Sequence, residues 1–401
     1  MQQYYLITVF PMVILYFSLT IWIYLLTCHG RVICSEEPYF WSNKLIYEKI
    51  HKYHSNIKKN NNQRICILVP ARNEEKTIKD TLSSLLQQKN IIFELILIDD
   101  ESNDKTIQYA LETFKHFKFY DYTIIRSKIR PRGWNGKVWA LNQGVMKAIQ
   151  NKENKFLLFL DADIVVEKYL LSNLLLTLKN KKLKMLSLMV KLNSSSIWEK
   201  ILIPPFIYFF QKIYPFNIIN NPKKNLAAAA GGCILCDINF FKEQNVFEII
   251  KNKIIDDCNL AKEIKKKGTI WIGLSDKAKS IREYNDLKSI WQMISRCAFE
   301  QLNNSILLLF ASTLFMTITY FSWIFGFLIA LNTQSIPVYF LSLIIFLISS
   351  ITIYPTINFY KLNPMYCFLI PISAGLYMMM TISSAFNFYF TNGNNWKGRR
   401  Y

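Results

Sequence analysis

Long stretches without a charged residue constrain this chain more than any other feature. One lies near the N-terminus and three lie close together towards the C-terminus: Tyr4 to Thr27, Ile306 to Leu331, Ser335 to Tyr360 and Met365 to Phe390. Each is long enough to cross a hydrocarbon core about 30 Å thick as a helix. We therefore expect an N-terminal anchor (residues 1–30) and a C-terminal membrane region of about three helices (residues 301–401).

Basic residues predict the orientation of these segments. Arg31, Lys44, Lys49 and Lys52 follow the first stretch, and basic residues favour the cytoplasmic side of a membrane. A multi-pass protein of the plasma (inner) membrane is expected, with its soluble domain in the cytoplasm. Four spans would place the basic tail, Trp396 to Arg400, outside, against the same bias, so the number of spans stays open.

The composition predicts a soluble domain between the membrane segments, at residues 31–300. Hydrophobic residues make up 51% of the chain, yet its formal net charge is +20. This combination is typical of a chain that separates apolar membrane segments from a basic globular part. The basic residues form no dense tract, which favours a membrane surface and a phosphate-bearing substrate over nucleic acid as partners.

The segment from Ile197 to Phe216 is apolar but interrupted. It carries Glu199 and Lys212 besides the adjacent prolines Pro204 and Pro205. Because proline removes a helical hydrogen-bond donor, the pair is expected to break a spanning helix. The segment is predicted to lie in the plane of the membrane surface as an amphipathic element, with a buried core helix as the alternative.

Short apolar runs alternate with helical patterns in the soluble domain. Four of these runs predict strands: Ile65 to Val69, Glu94 to Ile98, Tyr122 to Ile125 and Phe156 to Leu160. Strands that alternate with helices are typical of an α/β fold with a mostly parallel sheet. Ligands of such sheets bind beyond the carboxyl ends of the strands.

Asp161 and Asp163 follow the fourth predicted strand. In extended backbone, side chains two residues apart project to the same side. The two carboxylates could then share a divalent cation that also holds a diphosphate, and such a cation stabilises a departing nucleoside diphosphate. On its own this spacing is more typical of a surface loop than of a metal site. The choice between the two therefore depends on the neighbouring motifs.

Two further motifs lie near predicted strand ends. Asp99 and Asp100 end the second strand and could accept hydrogen bonds from a ribose or a base, or be ordinary surface carboxylates. The run from Gly133 to Lys137 combines glycines, which let the backbone approach a phosphate, with a lysine cation. No dinucleotide-binding glycine pattern and no Walker A sequence is present, which argues against those cofactor sites.

Two later segments allow a functional and a structural interpretation each. The small residues from Asn225 to Gly232 indicate either the wall of a ligand pocket or tight helix packing. Asp256 and Asp257 precede a predicted helix, Cys258 to Lys267, whose dipole favours ionised carboxylates. Such a carboxylate could take the proton of an acceptor hydroxyl, or it could simply cap the helix.

Together these motifs resemble the family 2 glycosyltransferases, which have the GT-A fold. The matching segments are Val69 to Glu74, Asp99 to Ser102, Gly136 to Lys137, Ala140 to Asn142, Leu160 to Asp163 and Asp256 to Leu260. The resemblance runs from about Arg64 to Arg296. It implies a Rossmann-like, mostly parallel α/β GT-A domain in the cytoplasm, between N- and C-terminal transmembrane helices, and an inverting hexosyltransferase activity.

A narrower similarity is to the hopene-associated glycosyltransferases of bacterial hopanoid gene clusters. It rests on Ile203 to Lys212, Tyr214 to Phe216, Ala228 to Cys233, Ile255 to Cys258, Trp291 to Leu302 and Trp396 to Arg399. This similarity covers nearly the whole chain. It implies a lipid acceptor, a glycolipid product and a relation to hopanoids.

The resemblance implies roles for residues on the donor side. Ala71, Glu74 and Asp100 would line the nucleoside pocket. Lys137 would lie near the diphosphate. Asp161 would face the ribose and the metal.

It also implies roles at the reacting centre. Asp163 would ligate Mg²⁺ or Mn²⁺ together with Asp161. Asp257 would be the general base. Asp256, its acidic neighbour, and Arg296 would lie on the acceptor side.

The resulting hypothesis is the transfer of a single sugar from a nucleotide-diphosphate sugar, with UDP-sugars favoured, to a lipid hydroxyl. A processive polysaccharide synthase is the first alternative, but Met293 and Cys297 replace the Gln and Trp of the synthases' Gln-x-x-Arg-Trp motif. A transport or scaffold protein with an inactive transferase domain is the second. The presence of all the expected carboxylates argues against it.

Overall fold

The computed structural model describes residues 2–27, 63–391, 395–396 and 399–400, with side chains described for residues 11–27 and 63–391. The basic residues 31, 44, 49 and 52, on which the predicted orientation rests, lie outside the described residues. The chain divides into two compact units. The helical unit contains the N-terminal helix, Ser194–Pro215 and Tyr284–Tyr401, and the sheet unit contains the described residues from 63 to 193 and Phe216–Glu283.

The described strands of the sheet unit form one eight-stranded sheet. They are β1 (Arg64–Ala71), β2 (Ile92–Asp99), β3 (Tyr122–Arg126), β4 (Asn154–Leu160), β5 (Ile164–Val166), β6 (Met185–Lys191), β7 (Cys233–Asp237) and β8 (Ile270–Ser280). Their order is β3-β2-β1-β4-β7-β6-β8-β5. β7 and β5 run antiparallel to their neighbours and the other pairs are parallel. The four predicted strands and the α/β class are confirmed, in a mixed sheet with four parallel and three antiparallel pairs among the described strands.

The described helices of both units are numbered in chain order. They are α1 (Gln2–Thr27), α2 (Ile78–Leu86), α3 (Thr106–His116), α4 (Gly136–Ala148), α5 (Leu170–Asn180), α6 (Ile197–Ile213), α7 (Phe216–Ile219), α8 (Asn239–Glu243), α9 (Val246–Ile249), α10 (Asp256–Lys265), α11 (Leu287–Ser295), α12 (Ile306–Thr333), α13 (Ile336–Phe359) and α14 (Ile370–Phe390). Short 3₁₀ helices cover Glu300–Leu302 and Pro364–Leu369, and Asn395–Trp396 (β9) pairs with Arg399–Arg400 (β10).

The centre of the sheet explains its uninterrupted apolar runs. β1 lies between β2 and β4, and every residue from Ile65 to Val69 is fully buried. A parallel strand covered on both faces needs apolar side chains at successive positions rather than at alternate ones. The polar residues of these strands are therefore displaced to their ends, where the predicted site residues lie.

The helical unit contains three helices that are long and apolar enough to cross a membrane. They are Ile306–Thr333, Ile336–Phe359 and Pro364–Phe390, which includes the 3₁₀ turn before α14. The described apolar part of α1, Pro11–Thr27, is shorter. The three C-terminal predictions are confirmed by length and composition, whereas a membrane crossing by α1 stays a prediction.

Helix α6 continues through Pro204 and Pro205, which were expected to interrupt it. Proline has no N–H to donate to the carbonyl four residues earlier, so Pro205 leaves the carbonyl of Ile201 without its helical donor. The hydroxyl of Ser373 in α14 donates to this carbonyl instead, at 2.8 Å. A second α14 hydroxyl, that of Tyr377, donates to the carbonyl of Leu202 at 2.8 Å.

Candidate active site

Most predicted site residues lie at one edge of the sheet. Because β1 to β4, β6 and β8 run in the same direction, their carboxyl ends meet there, at what we call the C-terminal edge. Ala71 ends β1 opposite Asp99, the last residue of β2. The backbone N–H of Asp100 donates to the carbonyl of Ala71 at 2.8 Å. The predicted nucleoside-side residues Ala71 and Asp100 are therefore neighbours.

The loops after β1 and β2 hold each other in place. Asn73 adopts a left-handed conformation with φ 51°. Its N–H donates to the hydroxyl of Ser102 at 3.0 Å, and its side-chain oxygen accepts from the N–H of Asn103 at 2.9 Å. These bonds fix the positions of the neighbouring residues Ala71 and Asp100 at the strand ends.

The backbone turns at Asp161 to Asp163, where an extended conformation was expected. The N–H of Ile164 donates to the carbonyl of Asp161 at 3.1 Å and closes the turn. As a result the two carboxylates have different partners. Lys137 Nζ lies 2.8 Å from Asp161 Oδ1, whereas Asp163 Oδ2 accepts from Arg282 Nε at 2.9 Å.

Lys137 is positioned by the first turn of α4. The side chain of Asn135 caps this helix and accepts from the N–H of Lys137 at 3.0 Å. The N–H of Asn135 in turn donates to the carbonyl of Lys251 at 2.6 Å. Gly133, before this cap, has φ +85°, a conformation that favours glycine.

A cleft in the sheet unit brings Lys137 and Asp161 together with the two aspartates of α10. Its lining residues are Pro70, Lys137, Leu141, Phe159, Leu160, Asp161, Gly231, Ile234, Phe247, Asp256, Asp257 and Leu260. Asp256 and Asp257 form the first turn of α10, and Ile255 occupies the cap position. Both aspartates therefore line the cleft, and the N–H of Cys258 in the same helical turn donates to Asp257 Oδ1 at 2.7 Å.

The small-residue segment forms part of the wall of this cleft. Ala227 to Ala230 are buried in a stretch that is neither helix nor strand, and the Cys258 thiol of α10 donates to the carbonyl of Ala229 at 3.4 Å. Gly231 then lines the cleft. A Cβ at this position would lie 3.1 Å from Asp257 Oδ2 and 3.5 Å from Lys137 Nζ. Glycine thus leaves the space between a carboxylate and a cation open.

The charges of the cleft influence one another. Burial and the charge of Asp256 raise the pKa of Asp257 to about 7, against the effects of Lys137 and of the N–H groups of Cys258 and Gly231. Burial lowers the pKa of Lys137, but the neighbouring carboxylates outweigh it, so that pKa is raised. Lys137 is therefore cationic, whereas Asp257 is a carboxyl group that exchanges its proton near neutral pH.

Glu74, Arg282 and Asp163 form a second group at the C-terminal edge. Arg282 Nη2 lies 2.6 Å from Glu74 Oε1, and its Nε lies 2.9 Å from Asp163 Oδ2. The hydroxyl of Ser280 donates to the same Asp163 oxygen at 3.0 Å. Glu74 and Asp163 are both buried. Neither residue was expected to have an internal cationic partner.

Sequence reasoning missed Arg282 and Ser280. Arg282 lies 119 residues from Asp163 and 208 from Glu74, so no local spacing connects them. Their position could have identified them, because Ser280 ends β8 and Arg282 lies two residues beyond it. The acidic motifs were likewise predicted to be functional because they follow strand ends.

Arg296 lies directly after α11 in the helical unit. It is therefore not among the residues that the sheet unit brings together. Its predicted place on the acceptor side stays a prediction.

The acidic residues of the C-terminal edge could hold a divalent cation only together with other ligands. Among the described residues, no three His, Cys, Asp or Glu side chains are grouped as a metal site. Asp161 and Asp163 supply two carboxylates, and Mg²⁺ is commonly held by one or two carboxylates together with substrate phosphates and water. The residues thus fit a cation that arrives with a diphosphate.

The mixed sheet with acidic residues and a lysine at its C-terminal edge defines a transferase-like α/β domain of the GT-A type. Residues 66–244 match the sequence model of the family described as Glycosyl transferase family 2. Over these residues the chain is similar to family 2 glycosyltransferases, in agreement with the enzyme class predicted from the motifs.

Curated relatives are similar to this chain over a shorter stretch. A 4,4'-diaponeurosporenoate glycosyltransferase of Staphylococcus haemolyticus (strain JCSC1435) is 36% identical over 102 residues, which are 25% of this chain and 24% of the relative. The Staphylococcus aureus (strain USA300) protein of the same name is 32% identical over 121 residues, 30% of this chain and 29% of the relative. The match thus spans less than a third of either relative.

One solved structure is similar to this chain over most of the length of both proteins. It is a mannosyltransferase from Pyrobaculum calidifontis in complex with GDP-Man and Mn²⁺. The TM-score is 0.52 at 12% identity, covering 93% of this chain and 99% of the other. At this identity the similarity shows a shared fold alone.

Proposed function

We propose that this chain transfers a single sugar from a nucleotide-diphosphate sugar, a UDP-sugar, to a hydroxyl group of a membrane lipid. The observation that carries the proposal is the cleft of a family 2 domain in which Lys137, Asp161 and Asp257 meet. It combines a cation for a diphosphate with a carboxyl group able to accept a proton. General-base catalysis and electrostatic stabilisation of the leaving group both accelerate sugar transfer.

The donor is assigned to the C-terminal edge. Ala71, Glu74 and Asp100 are proposed to contact the nucleoside, since they lie in or beside the linked loops after β1 and β2. Lys137 is proposed to contact the diphosphate. Its retained positive charge supports this role, because a phosphate needs a cation that stays protonated.

Asp161 and Asp163 are the proposed holders of a Mg²⁺ or Mn²⁺ ion. Such an ion takes up part of the negative charge that develops on a departing nucleoside diphosphate. The solved mannosyltransferase of similar fold has Mn²⁺ in its complex. This supports testing both ions.

Asp257 is the proposed general base. Its carboxylate takes the proton of the acceptor hydroxyl while the hydroxyl oxygen bonds to the anomeric carbon of the sugar. The bond from that carbon to the diphosphate breaks, and its electron pair leaves with the nucleoside diphosphate. Attack opposite to the leaving group inverts the anomeric configuration.

A lipid acceptor is supported by the helical unit, with its three apolar helices of membrane-spanning length. The curated relatives are named for 4,4'-diaponeurosporenoate, a lipid-like molecule. We propose an acceptor in the plasma membrane, related to hopanoids, reached from the cytoplasmic face. Asp256 and Arg296 are proposed to lie on its side of the reaction, and nucleic acid has no part in it.

The test is an assay of the full chain purified in detergent, with UDP- and GDP-sugars, Mg²⁺ or Mn²⁺, and extracted bacterial lipids. We expect release of nucleoside diphosphate together with a lipid that carries one added sugar, identified by mass spectrometry. Asp257→Asn should lower transfer about 100-fold or more, since a positioned base contributes on that scale. Nucleotide binding should be retained.

Three results would contradict parts of the proposal. A ladder of long glycans would indicate a processive synthase, and the absence of both products would indicate an inactive transferase-like protein. Full activity of Asp257→Asn would show that Asp257 is not the general base. Either another residue would then be the base, or the acceptor would attack through a carboxylate, which has no proton to lose.

A further inference from the structure

We infer that Arg282 couples the binding of a divalent cation to the binding of the donor. Its guanidinium holds Asp163 in the donor-free protein and keeps cation affinity low until a diphosphate adds negative charge. The inference rests on the proposed function, because it assumes a nucleotide-diphosphate donor. It assigns a positioning role to a residue that the motifs do not include.

The geometry of the Arg282 side chain is that of a bridge. Nη2 contacts Glu74 at 2.6 Å and Nε contacts Asp163 at 2.9 Å, so separate nitrogens bind separate carboxylates. The three residues come from the loop after β1, the turn after β4 and the segment after β8. Arg282 therefore connects three strand ends that would otherwise be independent.

Burial makes these two ion pairs costly to break. The side chains of Glu74 and Asp163 retain only 9% and 12% of their accessible surface, while Arg282 retains 31%. Charges removed from water are screened little by salt. Loss of one partner leaves a poorly solvated charge behind, which is costly. A cation that binds Asp163 must therefore work against a guanidinium that is already close.

The oxygen atoms of Asp163 are not equivalent. Both Arg282 Nε and the Ser280 hydroxyl donate to Oδ2. Hydrogen bonds on one carboxylate oxygen fix the rotation of the group and direct the other oxygen, in the manner of residues that orient metal ligands. Arg282 and Ser280 thus set the orientation of Asp163 as well as its charge.

The existing ion pairs explain the coupling. Glu74, Asp161 and Asp163 are already paired with Lys137 or Arg282, so a divalent cation that approaches them meets two positive charges. A divalent cation gains little from such a cluster. A nucleoside diphosphate adds negative oxygens for both the lysine and the incoming ion, so cation and donor bind better together than apart.

The experiment measures Mn²⁺ binding to the full chain by calorimetry, alone and with UDP or GDP. The wild-type protein should bind Mn²⁺ weakly alone and more tightly with nucleotide. Arg282→Gln removes one nearby positive charge and should tighten binding of Mn²⁺ alone by about tenfold. Nucleotide should then enhance Mn²⁺ binding less, because binding free energies are reciprocally linked.

Arg64→Gln is the matched control. Arg64 also bridges carboxylates, those of Glu94, Asp121 and Glu153. It begins β1, whereas the Asp163 site lies beyond the strand ends. This control should leave Mn²⁺ binding unchanged. Arg282→Lys keeps the charge but cannot bridge two carboxylates in the same way, and should tighten Mn²⁺ binding by only about twofold to threefold.

The outcomes separate the inference from the proposed function. If Arg282→Gln leaves Mn²⁺ affinity unchanged or weaker while wild-type protein binds nucleotide and Mn²⁺, the inference is overturned and the function survives. If the wild-type protein binds neither nucleotide nor Mn²⁺, the inference and the proposed function are both overturned. If Arg282→Gln fails to fold, the inference is tested with Arg282→Lys instead. An unchanged Mn²⁺ affinity of Arg282→Lys then overturns the inference.

Discussion

The two edges of the sheet carry the same kinds of ion pair in different surroundings. At the N-terminal edge, where the parallel strands begin, Lys184 lies 3.0 Å from Asp237 and Arg64 bridges three carboxylates. At the C-terminal edge, Lys137 lies 2.8 Å from Asp161 and Arg282 bridges two carboxylates. The residue types alone do not distinguish a stabilising cluster from a binding site.

The two edges differ in how exposed the carboxylates bridged by the arginines are. Two partners of Arg64 are well exposed, with 44% of the side-chain surface of Asp121 and 73% of that of Glu153 accessible. Exposed pairs contribute little and are screened by salt. The carboxylates of Glu74 and Asp163, which Arg282 bridges, are nearly buried. Poorly solvated carboxylates that share one arginine therefore lie at the C-terminal edge, where the other predicted site residues also lie.

The sharpest test of this difference is the same substitution at each edge. Lys137→Gln should lower sugar transfer about 100-fold, the scale on which one charge-stabilising group contributes to catalysis. Lys184→Gln should leave transfer unchanged, since it removes only a partly exposed ion pair. Initial rates at saturating acceptor measure both. Equal losses in the two variants would refute the distinction between the edges.

A glycine at each edge provides the next test. Gly231→Ala places a Cβ 3.1 Å from Asp257 Oδ2, so we expect transfer to fall about tenfold, a typical result of displacing a reacting group slightly. Gly268→Ala would meet the flexible side chain of Lys184, which can move away. Rates and thermal melts of both variants should show a loss of activity in the first alone. Full activity of Gly231→Ala would remove Gly231 from the cleft wall.

The pH dependence of transfer gives a smaller effect. Because the base must be ionised, the rate should rise with pH through about 7, the pKa of Asp257. The charge of Asp256 contributes to that raised pKa, so Asp256→Asn should move the rise to lower pH. A pH–rate profile of each protein measures this. An unshifted profile would show that another group titrates.

The same carboxyl group affects stability with a defined sign. The pKa of Asp257 is raised from 3.8 to about 7 on folding. The folded protein thus binds the proton more tightly than the unfolded chain does. Its contribution to stability is fully present below pH 3.8 and is lost as the pH rises through about 7. Asp256→Asn should reduce this loss, which thermal melts across that pH range would measure.

The smallest expected effect on activity belongs to Arg64→Gln. Losing its bridge should cost about 2 kcal/mol, between the values for exposed and buried pairs. For a domain of this size that lowers Tm by about 5 °C. Transfer measured well below the melting transition should stay at the wild-type level. A loss of transfer without a change in Tm would assign function to the N-terminal edge as well.

The sequence was sufficient for the parts of the fold with a strong local pattern. The apolar runs of β1, β2, β3 and β4 predicted strands whose ends lie within two residues of the observed ends. The long uncharged stretches likewise predicted α12 to α14. These elements are readable because burial on both faces, or exposure to an apolar phase, requires a continuous run of apolar residues.

The parts that could not be predicted depend on partners distant in sequence. The bridge of Arg282 joins residues 119 and 208 positions away. The continuation of α6 through its prolines depends on Ser373, 172 positions from Ile201. A local sequence pattern cannot predict contacts between residues so far apart along the chain.

The hydroxyls of Ser373 and Tyr377 have a consequence for chimeric proteins. They donate to the carbonyls of Ile201 and Leu202, shortly before the proline pair. A graft that replaced α14 by a helix without a hydroxyl at the position of Ser373 would leave the Ile201 carbonyl without a donor, which costs about 2 kcal/mol or more. A chimera that keeps the prolines of α6 should therefore keep this serine, although it lies far away along the chain.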